Sequence, residues 1–197
     1  IDLDVPNGSV NLGVQTSPVV LATEDCPYPP GGHIVTVAWE SNQQLQFCAK
    51  WMRYHSTLDE DAGSLFQSPR VAQPRFPSIT SINDFIHRLV AWVEDSVVYA
   101  LNFDVNTCNQ LFVTIGSEDT VSEAYESVIF APSLTRNAEH KAILAYEAVQ
   151  MQWGFPPEWY RYFTVKTRAQ AGWNTTAQSV IGFTGYGDAL NPSIGAH

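Results

Sequence analysis

The sequence predicts a mainly β domain of antiparallel sheets, in a sandwich or barrel, with two or three helices inserted between hairpins; an α+β arrangement is the alternative. Three observations carry this expectation. Residues 45–54 and 97–105 alternate apolar and polar side chains with the period of two that half-buried strands show. Proline and glycine punctuate the chain at short intervals. A regular succession of strand and helix patterns is missing, which argues against a doubly wound parallel sheet. With 197 residues, 45% of them apolar or aromatic, the chain suffices for a single domain around one sizeable core.

The elements follow in order. Residues 1–33 read as irregular or short-stranded. The run Cys26-Pro27-Tyr28-Pro29-Pro30-Gly31-Gly32 excludes a helix or a central strand, because proline removes backbone donors. Ile34–Trp39 is a continuous β-branched strand. Leu45–Tyr54 places Leu45, Phe47, Ala49 and Trp51 on one face, and the polar residues 41–44 join the two as a hairpin. Residues 55–80, broken by Pro69, Pro74 and Pro77, read as a long surface loop. A helix is predicted from Ile82, with Phe85, Ile86, Leu89, Val90 and Val93 at helical spacing and Ser81 with Asp84 as a capping pair. Val97–Val105 and Leu111–Ile115 form a second hairpin around residues 106–110. A short helix is expected over Thr120–Val128, with Thr120 and Glu123 as its capping pattern. Asn137 is expected to cap the longest helix, Ala138–Trp153, whose stripe of Ala142, Tyr146, Val149 and Trp153 faces a core. Tyr160–Thr167 and Ser179–Phe183 are the last strands, and the tail from Gly185 is turn-rich.

Charge is used sparingly. Only 15% of residues are charged, where about 25% is ordinary. Lys50, Lys141 and Lys166 are the only lysines, against six tryptophans, eight tyrosines and ten phenylalanines. The net charge is −10 and the ten basic side chains are scattered, so neither nucleic acid nor an anionic membrane surface is an expected partner. No apolar run approaches the roughly 18 residues that span a bilayer, so no membrane insertion is expected. Asp59-Glu60-Asp61 and Glu118-Asp119 read as solvated loop charge. The start at Ile1, without an initiator Met or signal peptide, reads as a processed or excised piece of a longer precursor.

Motifs for chemistry are sparse. Three cysteines make no framework: Cys26 and Cys108 in turn contexts are candidates to pair, and Cys48 reads as a buried apolar residue. Ile115-Gly116-Ser117-Glu118 lacks the second glycine of a nucleophile elbow. Asp84 and His87 would share a helix face, but a local hydrogen bond explains them better than a metal, and His140 reads as structural. No cofactor and no metal ion is expected. Paired carboxylates of a secreted carbohydrate-active hydrolase cannot be located without a fold.

Aromatic residues on stiffened turns are the more informative class. Trp153-Gly-Phe-Pro-Pro-Glu-Trp-Tyr-Arg-Tyr162 holds five rings in ten residues. Such side chains bury area at little entropic cost, which makes Trp159 and Tyr160 binding candidates, together with Tyr28 and Tyr186 between prolines or glycines.

The segment Asp4-Val-Pro-Asn-Gly-Ser-Val-Asn-Leu-Gly13 resembles the leading segments of projecting capsid (spike) domains of small RNA viruses such as astroviruses. The resemblance implies a non-enzymatic capsid or spike component on a virion surface, or otherwise extracellular. Such a component would be a homo-oligomer and would contact a host receptor or glycan. The alternatives are a secreted carbohydrate-active hydrolase and a monomeric carbohydrate-binding module.

Overall fold

A computed structural model describes residues 16–24, 32–41, 44–53, 60–67, 69–70, 72–82, 86–106, 112–128, 130–152, 158–169 and 172–183. Every regular element among them is a β-strand. Sheet I is an antiparallel meander of β1 (Thr16–Glu24), β2 (Gly32–Ser41), β3 (Gln44–Arg53) and β4 (Glu60–Gln67). Sheet II repeats the pattern with β5 (Arg75–Ser81), β6 (His87–Glu94), β7 (Val97–Asn106) and β8 (Phe112–Thr120). Sheet III contains β9 (Glu126–Val128), β10 (Ser133–Arg136), β11 (Ala142–Gln152), β12 (Glu158–Ala169) and β13 (Gly172–Phe183). The short β9 and β10 share one edge of β11, pairing with its second and first halves.

Both predicted hairpins form, with Trp39 opposite Gln46 in the first and Phe103 opposite Ile115 in the second. The predicted helices do not form. The stretch beginning at Ile82 yields β6, the Thr120–Val128 stretch is the end of β8, a turn and β9, and the Ala138–Trp153 stretch holds β11. Nor are residues 55–80 one long loop, since they contain β4 and most of β5. Pro77 is compatible with β5 because β5 is an edge strand, where a missing N–H costs no ladder bond.

The cause of the helix misreading is the position of sheet II between the other two. On one face, Val90, Trp92, Leu101 and Phe103 pack with Ile34, Leu45, Phe47 and Ala49 of sheet I. On the other, Leu89, Ala91, Val98 and Ala100 pack with Leu144, Tyr146 and Ala148 of sheet III. β6 is therefore buried on both faces after its first residue. Its apolar residues run without alternation, as in any doubly covered strand, and some of them fall by chance at helical spacing. Sheets I and II also approach along both edges, β1 against β5 and β4 against β8, and so close around their shared core. Phe47 and Phe103 stack across it with ring centroids 4.8 Å apart. Cys48 is buried beside Val37 and Trp39 on the opposite face of sheet I; Cys26 and Cys108 lie outside the described residues.

Candidate functional site

The interface of sheets II and III changes character along its length. Its middle is apolar, but polar side chains replace the core where β6 and β11 begin and β7 and β12 end. On β7, Val98 and Ala100 face sheet III as core residues, and Asn102 and Asp104 continue that phase. The sheets part there around a cleft of about 630 Å³. One wall carries His87, Asn102, Asp104 and Ser117, and the other Arg168 and Ala169. The turn between β10 and β11 supplies Glu139, His140 and Lys141 at the rim.

Arg168 bridges the walls. Its guanidinium donates to Asn102 Oδ1 and, at 3.2 Å, to Asp119 Oδ2. Asn102 Nδ2 donates in turn to the carbonyl and hydroxyl oxygens of Ser117, at 3.3 and 3.2 Å. The amide thus locks its own orientation and that of the guanidinium. Gly116 permits this close pairing, since a Cβ there would lie 3.0 Å from the Asn102 carbonyl oxygen. His87 Nε2 lies 3.9 Å from Asp104 Oδ1, and both side chains are 46% exposed.

The rim turn is built around Asn137. Its Oδ1 accepts from the backbone N–H groups of Glu139 and Lys141 at 3.0 and 2.9 Å, and its own N–H donates to the Lys141 carbonyl at 3.0 Å. His140 is held in the left-handed region, φ +60°, where non-glycine residues are uncommon and histidine is among the more tolerant. It therefore sits in a hairpin turn and not in a first helical turn as expected from sequence. The Lys141 ammonium lies 2.8 Å from a Glu139 carboxylate oxygen and holds that carboxyl below its usual range. Three of the chain's ten lysines and arginines and two of its five histidines line this one cleft, in a protein of net charge −10. One of them, Arg88, is buried and donates to Thr23 Oγ1 at 2.6 Å. Arg168 and Lys141 are the cations with solvent access.

Buried carboxylates elsewhere serve to tie elements together. Glu94 accepts from Trp92 Nε1 and Arg70, Glu147 from Arg161, and Glu126 from the Tyr146 hydroxyl. Glu118 and Asp119, expected as solvated loop charge, sit half-buried on β8 and pair with Arg70 and Arg168. The Arg70 guanidinium also lies 3.4 Å over the Tyr99 ring. Its pKa is raised by the Glu118, Tyr99 and Glu94 charges and the Glu118 hydrogen bond, although burial, the largest single influence, acts the other way. Among the described residues no group of three or more His, Cys, Asp or Glu is placed to hold a metal ion.

The aromatic candidates fall elsewhere. Tyr28 and Tyr186 lie outside the described residues, as does the segment 4–13. Trp159 belongs to β12 by its backbone, opposite Met151. Tyr160 is half-buried, with its ring 6.4 Å from that of Tyr162. It lies at the far end of β12 from Arg168, roughly 26 Å along the strand. The structure does not bring it to the cleft. Arg168, Asn102 and Lys141 have no motif to announce them; His87 stands out in the sequence only beside Asp84, which lies outside the described residues, and it sits on strand β6 and not on a helix. The signal for the cleft is Asn102 and Asp104 continuing the core phase of β7. No family model matches the chain, and neither a curated protein nor a solved structure matches it.

Proposed function

We propose that this chain is a non-enzymatic recognition and structural domain, a capsid or spike component of a virion surface. In this reading it self-associates and contacts a host glycan or receptor through the cleft between sheets II and III. The observation that carries the recognition reading is the cleft itself: a concave polar site whose side chains are fixed by strands and by a hydrogen-bonded turn. Pre-formed concavity with a few oriented polar groups is how small-molecule and glycan sites are built. Both carboxylates in it, Asp104 and Glu139, keep solvent access, at 46% and 69% side-chain exposure. A hydrolase acid would need a desolvated carboxyl to hold its proton near neutral pH, so the exposed pair favours recognition over catalysis. The low lysine content and the all-β scaffold of the described residues suit a packed surface component.

The test is glycan-array binding by the purified chain and by Ala169→Trp, which places an indole in the cleft from an exposed position. Selective binding by the wild type, lost in the variant, supports the reading. Binding that survives the indole moves recognition to another surface and sinks this assignment, as does a silent array. Solution mass across a tenfold concentration range tests self-association, and a strict monomer counts against it.

A further inference from the structure

The geometry points to an oxyanion, a carboxylate or sulfate carried on a saccharide, as the group this cleft takes. The inference rests on the recognition reading and names its ligand class. Donor-bearing residues from separate elements line one cleft: Arg168 from β12, Lys141 and His140 from the rim turn, and His87, beside Asp104, from β6. An arginine carries five N–H donors. Two of these on Arg168 engage Asn102 and Asp119, which fixes the plane of the fork. The remaining donors have no protein acceptor among the described residues. A fixed guanidinium with unspent donors matches the two-oxygen geometry of a carboxylate or sulfate.

The rim works with it. Lys141 is 55% exposed and its partner Glu139 is 69% exposed, so this pair is solvated and exchanges readily for a ligand anion. Asn137 fixes the turn through two backbone donors and so presets where Lys141 and His140 point. Apolar side chains in the lining are Ala142, Ala169 and Ile82, with no aromatic ring other than the two imidazoles among the lining residues. No other aromatic ring is present there for a neutral sugar to stack on. The cleft is lined by charge of both signs, Arg168 and Lys141 against Asp104 and Glu139, and the fixed Arg168 fork is what selects an anion there.

The experiment is titration of the chain, followed by amide chemical shifts, with sodium glucuronate, glucose 6-sulfate and glucose as probes. The same titrations are run on Lys141→Gln, His140→Asn, which tolerates the left-handed backbone, and Arg168→Gln, with Arg75→Gln as a remote exposed control. Saturable shifts at residues 102, 117, 141 and 168 are expected with the two anionic probes, weakening as salt rises. Glucose should bind at least tenfold more weakly, and Lys141→Gln and Arg168→Gln should each weaken the anions about tenfold. Lys141 is solvated, so its variant stays informative even where Arg168→Gln loses its fold. Preference for glucuronate over the sulfate, or the reverse, tells which oxyanion the cleft was built for. Equal binding of glucose and the anions, or anion binding unchanged by Lys141→Gln, overturns the inference while leaving glycan recognition standing. Anion binding lost in Lys141→Gln alongside a silent glycan array upholds the inference and overturns the wider reading. No saturable shift with any probe overturns the inference.

Discussion

Tyr146 shows how much a single side chain does inside the interface of sheets II and III. Its ring packs in the shared core, and its hydroxyl donates to Glu126 Oε2 at 2.5 Å. Burial, the hydrogen bond to Glu126 and the neighbouring carboxylate charges push its pKa far above the ordinary phenol value of 10. The folded state therefore holds the phenol proton more tightly than the unfolded chain does. That contribution is complete below pH 10 and is lost as pH rises beyond it, at about 1.4 kcal/mol per pH unit. Urea denaturation across the alkaline range should show this decline. Tyr146→Phe should cost about 1–3 kcal/mol at neutral pH, because Glu126 stays buried with one donor fewer. It should also flatten the alkaline decline by about one proton. An unchanged slope in Tyr146→Phe would show that other groups cause it. Lys166 illustrates the same economy: it is buried, but its ammonium donates at 2.6 Å to both the Val121 carbonyl and Glu123, so its charge is accommodated.

Among the elements, the turn from Asn137 to Lys141 governs both the β10–β11 hairpin and the rim of the cleft. Asn137→Ala removes one acceptor that serves two backbone donors, at a cost of about 1–2 kcal/mol, whereas Asn137→Asp keeps the acceptor. Amide exchange at Glu139 and Lys141 should accelerate in the alanine variant and stay slow in the aspartate one; equal rates in both would mean the turn is held by other contacts. The sequence signalled Asn137 as a capping residue, and the side chain does satisfy backbone donors, but those of a turn. Ala142, Tyr146 and Val149 fall at helical spacing after a capping Asn137, which is why β11 reads as a helix, and its Ala, Leu, Glu, Gln and Met residues do not oppose one. Pairing with β12 along ten residue pairs, and burial of Ala142, Leu144, Tyr146 and Ala148 on one face, override that preference. Where one face was solvated or the alternation clean, as in β3 and β7, the strands were legible. The cleft was not, because its residues come from β6, β7, β8, β11, β12 and a turn, and only pairing of the sheets reveals that they meet.

At the scale of the whole molecule, sheet II ties the structure together, because each of its faces belongs to a different core. Phe103 projects into the core shared with sheet I, and Leu89 into the one shared with sheet III. Both side chains are fully buried, so Phe103→Ala should cost about 3–5 kcal/mol and Leu89→Ala about 2–5 kcal/mol. Their location makes the cooperativity informative. β6 pairs with β7 along its full length, from His87 with Asp104 to Glu94 with Val97, so loosening either face disturbs the same backbone ladder. Each variant should therefore lower one common unfolding transition, seen alike by tryptophan fluorescence and far-ultraviolet circular dichroism. Trp92 reports on the core with sheet I and Trp173 on the core with sheet III. Tryptophan-to-phenylalanine changes at each would separate the two signals. If Phe103→Ala unfolds sheet I while the Trp173 signal persists, the two cores are independent and sheet II is a passive spacer. Coincident loss of both signals in both variants means that the cleft, at the end of one interface, is held in shape by the packing of all three sheets.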